Sequence, residues 1–403
     1  MKSIPLTVAL LLSLSARLFS QSPVTEQILR IDPENAFGGT AGKMLADIEY
    51  IPLESSKTSL FNKIDQLAVT SQYFIVLDRR GNTILLFDRA GKFVRKLVPP
   101  AESPNEFEPA FYAFSVDHFR QEIVATSGIR ALAPFYLVYD MNGKLLRKKK
   151  KWAQNTDETI SMGDGWLISN INTPETRGST GSQLVIESEE QVEEKLLPYD
   201  PQSILAGNDR LMQGKFLYNS GNGNFFFRNY YSYQLVELNR QGLQKKYRIV
   251  LPASYSLPQN FLTDTAMEGK RMEYVIRNPG KVFCFSNIYR AGDKLVFRLA
   301  IHDTQFRDRT LMYDLKTGQT FTLNGLRPDS TNAYLPFFDI IGEVLACDGE
   351  HFFTCSSAYE LYHSHEHNTA KSPVSPPQIA QFLEKKDRMA NPVIVRFRFK
   401  SEL

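Results

Sequence analysis

The densest grouping of side chains able to do chemistry is His363-Ser364-His365-Glu366-His367. If this stretch is extended, alternate residues share one face and the three imidazoles converge, as a zinc or copper site requires. If it is a polar surface loop, the histidines are simply solvated. No second group of ligands lies nearby in the sequence, which favours the loop, so no metal and no cofactor is assigned. Arg147-Lys148-Lys149-Lys150-Lys151-Trp152 offers a polyanion a run of cations beside a stacking ring. At the end of an outer strand the same run is a solvated edge that discourages pairing with another sheet, and that reading is adopted.

Asp78, Asp88, Asp140 and Asp314 recur at matching places and invite comparison with the carboxylate pair of a glycoside hydrolase. Each closes a strand, however, where a short acid bonds turn amides. Asn219-Ser220-Gly221-Asn222-Gly223-Asn224 precedes a strand, so it reads as a tight turn and not as a phosphate cradle. No Gly-x-Ser-x-Gly elbow or His-Glu-x-x-His helix is present, and the catalytic residues stay unknown. The aromatic groups Phe225-Phe226-Phe227, Tyr230-Tyr231 and Tyr233, with Phe111-Tyr112 and Phe114, can line a sugar- or peptide-binding mouth. On alternating strands half of them must face a sheet-sheet interface, and core packing is the stronger expectation for any one of them.

The elements that position these residues are best seen in Ile64–Leu97. Four short runs rich in Val, Ile, Leu and Phe, Ile64–Val69, Tyr73–Asp78, Thr83–Asp88 and Lys92–Leu97, are separated by Ser71-Gln72, Arg79-Arg80-Gly81-Asn82 and Arg89-Ala90-Gly91. Strand-length runs divided by turn chemistry predict an antiparallel meander. Its faces are apolar on both sides, so similar sheets must stack against it. Related sets follow over 113–150, 159–197, 216–251 and 282–323, and the third-to-fourth-strand hairpin repeats as LLFDRAGKFVRKL, YLVYDMNGKLLRK and LVELNRQGLQKKYRI. An incomplete sixth set starts near Phe337 and ends in the strand Pro392–Lys400. Pro258–Val275 and Pro377–Arg388 read as helical insertions, with a polar interruption over Tyr359–Pro377. The orphan strand Met44–Glu54 supplies what the sixth set lacks. Pairing it there closes a ring and removes the open edges between first and last sheets.

Composition agrees with a β-rich globular chain: 42% hydrophobic residues, 12% aromatic and a formal charge of only +3 over 403 residues. That charge, with both signs interspersed, argues against nucleic acid as a partner. Met1–Ser20 carries Lys2, an apolar run from Ile4 to Leu14 and small or polar residues before Gln21, the pattern of a cleaved signal peptide. No later run is long and apolar enough to span a bilayer, so no stable membrane insertion is expected. Residues 21–43 read as a flexible lead-in and 44–403 as one domain. Cys284, Cys347 and Cys355 read as free thiols, because a hairpin turning at Asp348-Gly349 holds the last two beyond disulfide reach.

Ile48-Glu49-Tyr50-Ile51-Pro52-Leu53-Glu54, the hairpin Ile84–Lys96, the crossing Asn105-Glu106-Phe107 and the closing Asn391-Pro392-Val393-Ile394-Val395 resemble the exported six-bladed β-propeller proteins of Bacteroidetes, related to NHL and TolB-like propellers. The resemblance covers nearly the whole chain after Ser20. It implies an all-β, six-bladed propeller of four-stranded antiparallel blades with short helical insertions. Members are often lipid-anchored, and no Cys follows the apolar run here, so a periplasmic or secreted monomer is expected. Fold does not dictate activity. The reading adopted is a non-enzymatic binding or scaffold propeller for an unknown glycan or peptide, with a propeller hydrolase or lyase and a protein-protein interaction platform as alternatives.

Overall fold

A computed structural model describes residues 24–100, 110–127, 135–150, 156–171, 181–188, 192–200, 205, 209, 215–303, 310–339, 342–368 and 377–403. The signal-peptide reading, the Asn105-Glu106-Phe107 crossing, and Lys151 and Trp152 lie outside these residues. The chain begins with β1 (Thr25–Arg30) and β2 (Phe37–Thr40), a single helical turn α1 (Ala41–Met44), and β3 (Leu45–Pro52). Six sheets follow. Blade 1 holds β4 (Gln66–Val69), β5 (Tyr73–Asp78), β6 (Thr83–Asp88) and β7 (Phe93–Leu97). Blade 2 holds β8 (Phe111–Asp117), β9 (Glu122–Ser127), β10 (Phe135–Asp140) and β11 (Leu145–Lys150). Blade 3 holds β12 (Thr156–Gly163), β13 (Trp166–Ile171), β14 (Ser182–Glu187) and β15 (Val192–Pro198). Blade 4 holds β16 (Leu217–Asn219), β17 (Phe225–Arg228), β18 (Gln234–Asn239) and β19 (Gly242–Val250). After α2 (Arg271–Arg277), blade 5 holds β20 (Val282–Ala291), β21 (Lys294–Ile301), β22 (Thr310–Asp314) and β23 (Thr320–Arg327). Blade 6 opens with β24 (Ala346–Cys347) and β25 (Phe352–Ser356), passes through α3 (Ala358–Glu366) and α4 (Pro377–Glu384), and continues with β26 (Val393–Phe399).

The fourth strand of blade 6 is β3, paired antiparallel to β26 with Ile51 opposite Ile394 and Tyr50 opposite Val395. The predicted six-bladed ring, closed by an N-terminal strand, is therefore present. Both faces of a blade are buried, as alternation along β5 illustrates. Phe74 and Val76 pack with Phe353 and Ile394 of blade 6, whereas Ile75 and Leu77 pack with Phe114, Val116 and Leu137 of blade 2. Phe74 meets Phe353 edge-to-face at 6.0 Å. Each such side chain contributes about 1.5–3 kcal/mol by leaving water, which is why the isolated meander would not stand alone.

The segment 21–43, read as a flexible lead-in, is corrected where the structure describes it. Strand β1 adds to blade 4 as a fifth strand, parallel to β19, with Leu29 opposite Ile249. Strand β2 adds to blade 5 parallel to β23. The N-terminal chain thus straps the outer edges of two blades before closing the third. Leu29 and Ile31 are buried in the core, so this short polar segment is held by a few apolar side chains and a row of backbone bonds.

The insertions also differ in detail from expectation. Only Thr265–Met267, as a 3-10 turn, and α2 are helical within the 258–277 region. The interruption at 359 is a helix: Ser357 Oγ caps it by accepting the Glu360 amide at 3.1 Å, and Leu361 and Tyr362 are buried beneath it. Arg271 opens α2 with no exposed surface and pairs at 2.6 Å with the equally buried Asp209. Its remaining donors reach the carbonyls of Phe261, Leu262 and Asp264. That bonding fastens the insertion to the ring.

Candidate functional site: the central channel

The first strand of each blade lies innermost, and these strands wall a channel. They are laced to one another by side chains that bond the neighbour's backbone. Gln66 donates Nε2 to the Phe114 carbonyl at 2.5 Å and accepts the Phe114 amide at 3.2 Å. Ser115 Oγ accepts the Ser161 amide at 2.8 Å, and Ser220 Oγ accepts the Arg290 amide at 2.8 Å. Asn287 Nδ2 donates to the Val344 carbonyl at 2.9 Å, and Tyr289 Oη to the Leu345 carbonyl at 2.8 Å. Between blades 3 and 4 the lacing side chain is Glu158, whose Oε2 accepts the amides of Phe216 at 2.6 Å and Leu217 at 2.8 Å. Inner-strand backbone groups that have no fourth neighbour are satisfied in this way.

Within the ring is a cavity of about 640 Å³, lined by residues from the innermost strand of every blade. Its apolar wall includes Phe114, Val116, Ile160, Leu217 and Phe225. One rim is made by the turns that follow the inner strands and carries Ser71, His118, Asn222, Asp348 and Glu350. On that side the blade 4 turn crosses past blade 5 to meet blade 6: a Cβ at Gly221 would stand 2.5 Å from both the Asp348 carbonyl oxygen and the Gly349 nitrogen.

Two cationic side chains on the wall behave differently. Arg89 donates to the Thr70 carbonyl at 3.0 Å and stacks over Phe74, 4.5 Å from its centroid. Lys215 lines the cavity, and its Nζ has no hydrogen-bond or ion-pair partner at contact distance among the described residues. Its carbonyl, by contrast, accepts Tyr218 Oη at 2.8 Å and Nε of the fully buried Arg228 at 2.9 Å, which fixes the backbone beneath it. Loss of hydration pushes the Lys215 ammonium down to about 8; the nearby Glu158 carboxylate opposes that fall and Arg79 adds to it. Burial raises Glu158 above the ordinary carboxylate range, against the pull of Lys215 and of the two amides it accepts.

The residues singled out in the sequence fall mostly elsewhere. In α3 the histidines advance by about 100° per residue, so His363 and His367 share a side with ring centroids 4.2 Å apart and His365 points away. The loop reading of this stretch is thereby corrected to a helix, the three imidazoles do not converge, and no group of three or more metal-ligating side chains occurs among the described residues. Tyr359 stacks on His363, and Glu366 pairs with Arg388 at 2.6 Å. The recurrent aspartates bond local backbone and do not converge. Asp88 accepts the amides of Ala90 and Lys92, Asp140 that of Lys144, and Asp314 those of Lys316 and Thr317. Asp78 departs from this by bonding the amide and side chain of Asn62. In the basic run, Arg147 forms a two-pronged pair with Glu122 at 2.7 Å. Most of the aromatic groups are core, though Tyr112 and Tyr233 are half-buried and Phe114 and Phe225 also line the cavity. Cys284 and Cys347 are buried, Cys355 is half-buried, and all three are unpaired.

Lys215 and Glu158 carried no signal in the sequence. Glu158 and Leu217 are 59 residues apart, and the stacking of blade 4 on blade 3 brings their strands side by side.

No helix among the described residues is long and apolar enough to cross a membrane. Comparison with solved structures finds a Bacteroides fragilis protein titled "Putative exported protein", with TM-score 0.68 and 13% identity over 93% of this chain and all of that one. A Bacteroides vulgatus member of the DUF4221 family matches with TM-score 0.51 and 10% identity over 89% of this chain and 98% of that one. At these identities the likeness concerns the fold. Comparison with curated proteins finds no match. The family model described as a domain of unknown function, DUF4934, matches residues 40–398, and the chain therefore belongs to the DUF4934 family.

Proposed function

We propose that this propeller is an exported, non-enzymatic binding protein that takes a small polar ligand, of glycan or peptide type, into its central channel. The observation that carries this reading is the cavity of about 640 Å³ walled by all six inner strands. Its volume is in the range of small-ligand sites, and it combines an apolar wall with a few polar groups that can orient a guest. Export is supported by the likeness to the Bacteroides fragilis protein titled as exported. A glycoside hydrolase of the usual kind needs two acids flanking one bond. The strand-end aspartates are spent on local backbone, and Asp348 Oδ1 accepts the amides of Glu350 and His351. The direct experiment is a thermal-shift and calorimetric screen of short saccharides and peptides, repeated on Ser71→Trp, which places an indole at the channel rim. A ligand that binds the wild type and not the variant supports the channel. Ligands that bind both equally would move the site to an outer face of the ring.

A further inference from the structure

Four of the five lacing joints described above use neutral side chains: Gln66, Ser115, Ser220 and the Asn287–Tyr289 pair. The joint between blades 3 and 4 uses the carboxylate of Glu158. An amide oxygen can accept backbone N–H groups without carrying a charge, as Gln66 demonstrates two joints away. The negative charge of Glu158 is therefore surplus to the lacing. What it faces is Lys215, a cavity-lining residue whose ammonium has no hydrogen-bond or ion-pair partner among the described residues. A lysine in that position would ordinarily extend its head to bulk water. Here its backbone is pinned by Tyr218 and Arg228, and the other wall cation, Arg89, is already committed to Thr70 and to the ring of Phe74.

From this juxtaposition we infer that Lys215 is the cation that recognises the channel ligand, and that the ligand is a small molecule carrying a single carboxylate. The inference rests on the channel-binding reading above and narrows its ligand class. One ammonium with three donors matches one carboxylate. A doubly charged phosphate would meet Lys215 and the already engaged Arg89 against three acids, Glu158 behind the lysine and Asp348 and Glu350 at the rim, so its second charge is poorly compensated. Glu158 holds the lysine's charge in the empty channel, and a bound carboxylate takes over that role. The shared chemistry has two natural sources, a uronic-acid saccharide and a peptide C terminus.

The charged groups facing Lys215 are Glu158 and Arg79, and Arg228 in turn faces Glu158. Loss of the ammonium proton removes the attraction, so affinity for a carboxylate falls as pH rises through about 8. The test uses two matched pairs of probes: glucuronate against glucose, and N-acetyl-Ala-Ala against its C-terminal amide. Calorimetry on the intact chain at pH 6.5 and pH 9.5 is expected to show the acid of at least one pair binding roughly 10- to 100-fold tighter than its neutral partner at the lower pH. That preference is expected to shrink at the higher pH, a readout that needs no variant. Lys215→Met should erase the preference, and an unchanged melting temperature shows that it folds. Which pair responds distinguishes saccharide from peptide. Equal binding of acid and neutral probes, lost in Ser71→Trp, would keep the channel and overturn the carboxylate. No binding by any of the four probes would overturn both.

Discussion

A Cβ on Gly221 would stand 2.5 Å from the carbonyl oxygen of Asp348, which places the turns of blades 4 and 6 in direct backbone contact at one end of the channel. Gly221 also has a φ of +80°, a region that favours glycine. Gly221→Ala is expected to lower stability by about 2–3 kcal/mol in urea denaturation, from strain and clash together. Gly223 has a similar φ of +73° but open space around it, so Gly223→Ala should cost only about 1 kcal/mol. Equal losses would mean that the contact between the turns contributes nothing.

Ring closure and the strap make separate predictions. Deleting residues 46–53 removes most of β3 from blade 6 and should abolish the cooperative melting transition. Leu29→Ala, in the strap on blade 4, should leave a cooperative but weakened transition, with about 2–4 kcal/mol lost to the cavity it creates. An unchanged melting profile after the deletion would mean that the ring holds without its closing strand.

Removing Arg271 leaves Asp209 charged and enclosed. Arg271→Met is expected to cost about 3–5 kcal/mol, because the stranded carboxylate loses its 2.6 Å partner. The double variant Arg271→Met with Asp209→Leu should recover part of that loss. Chemical denaturation of all three chains, read as a double-mutant cycle, checks it.

Acid should weaken blade 5 through Asp314. Burial pushes its carboxyl up, but the Lys294 ammonium at 2.5 Å and the amides of Lys316 and Thr317 outweigh that and hold it below the ordinary range. A carboxyl depressed in the folded state stabilises fully above its unfolded value of about 4 and loses that contribution as pH falls toward the folded value. Denaturation followed from pH 7 to pH 3 should show the wild type losing stability faster than Asp314→Asn below about pH 4. Parallel curves would contradict this.

The blades were legible because β5 and β6 are apolar runs of strand length bounded by turn residues, and because the same hairpin phrase recurs in blades 1, 2 and 4. The strap was not, since Thr25–Arg30 mixes exposed polar residues with a single buried leucine and pairs in parallel with a strand more than 200 residues away, as Ile28 opposite Arg248 illustrates. Helix α3 reads as a polar interruption because its His, Ser and Glu residues mask the apolar spacing, while the residues that decide its conformation are the capping Ser357 and the buried Leu361 and Tyr362. The channel site was out of reach for a different reason: Glu158 and Lys215 belong to no local pattern, and only the stacking of blade 4 on blade 3 makes them neighbours.

The strap sets the order in which this molecule can be finished. Residues 25–52 are made before all of their partners, β19, β23 and β26, which lie at 242–250, 320–327 and 393–399. Contacts so distant along the chain form slowly, because the intervening segment must be organised before its ends can meet. Blades 1 to 3 can assemble as the chain lengthens, while β1 waits for β19, β2 for β23 and β3 for the final strand β26. The early-made segment is thus protected in steps, and protection of β3 reports that the ring is complete.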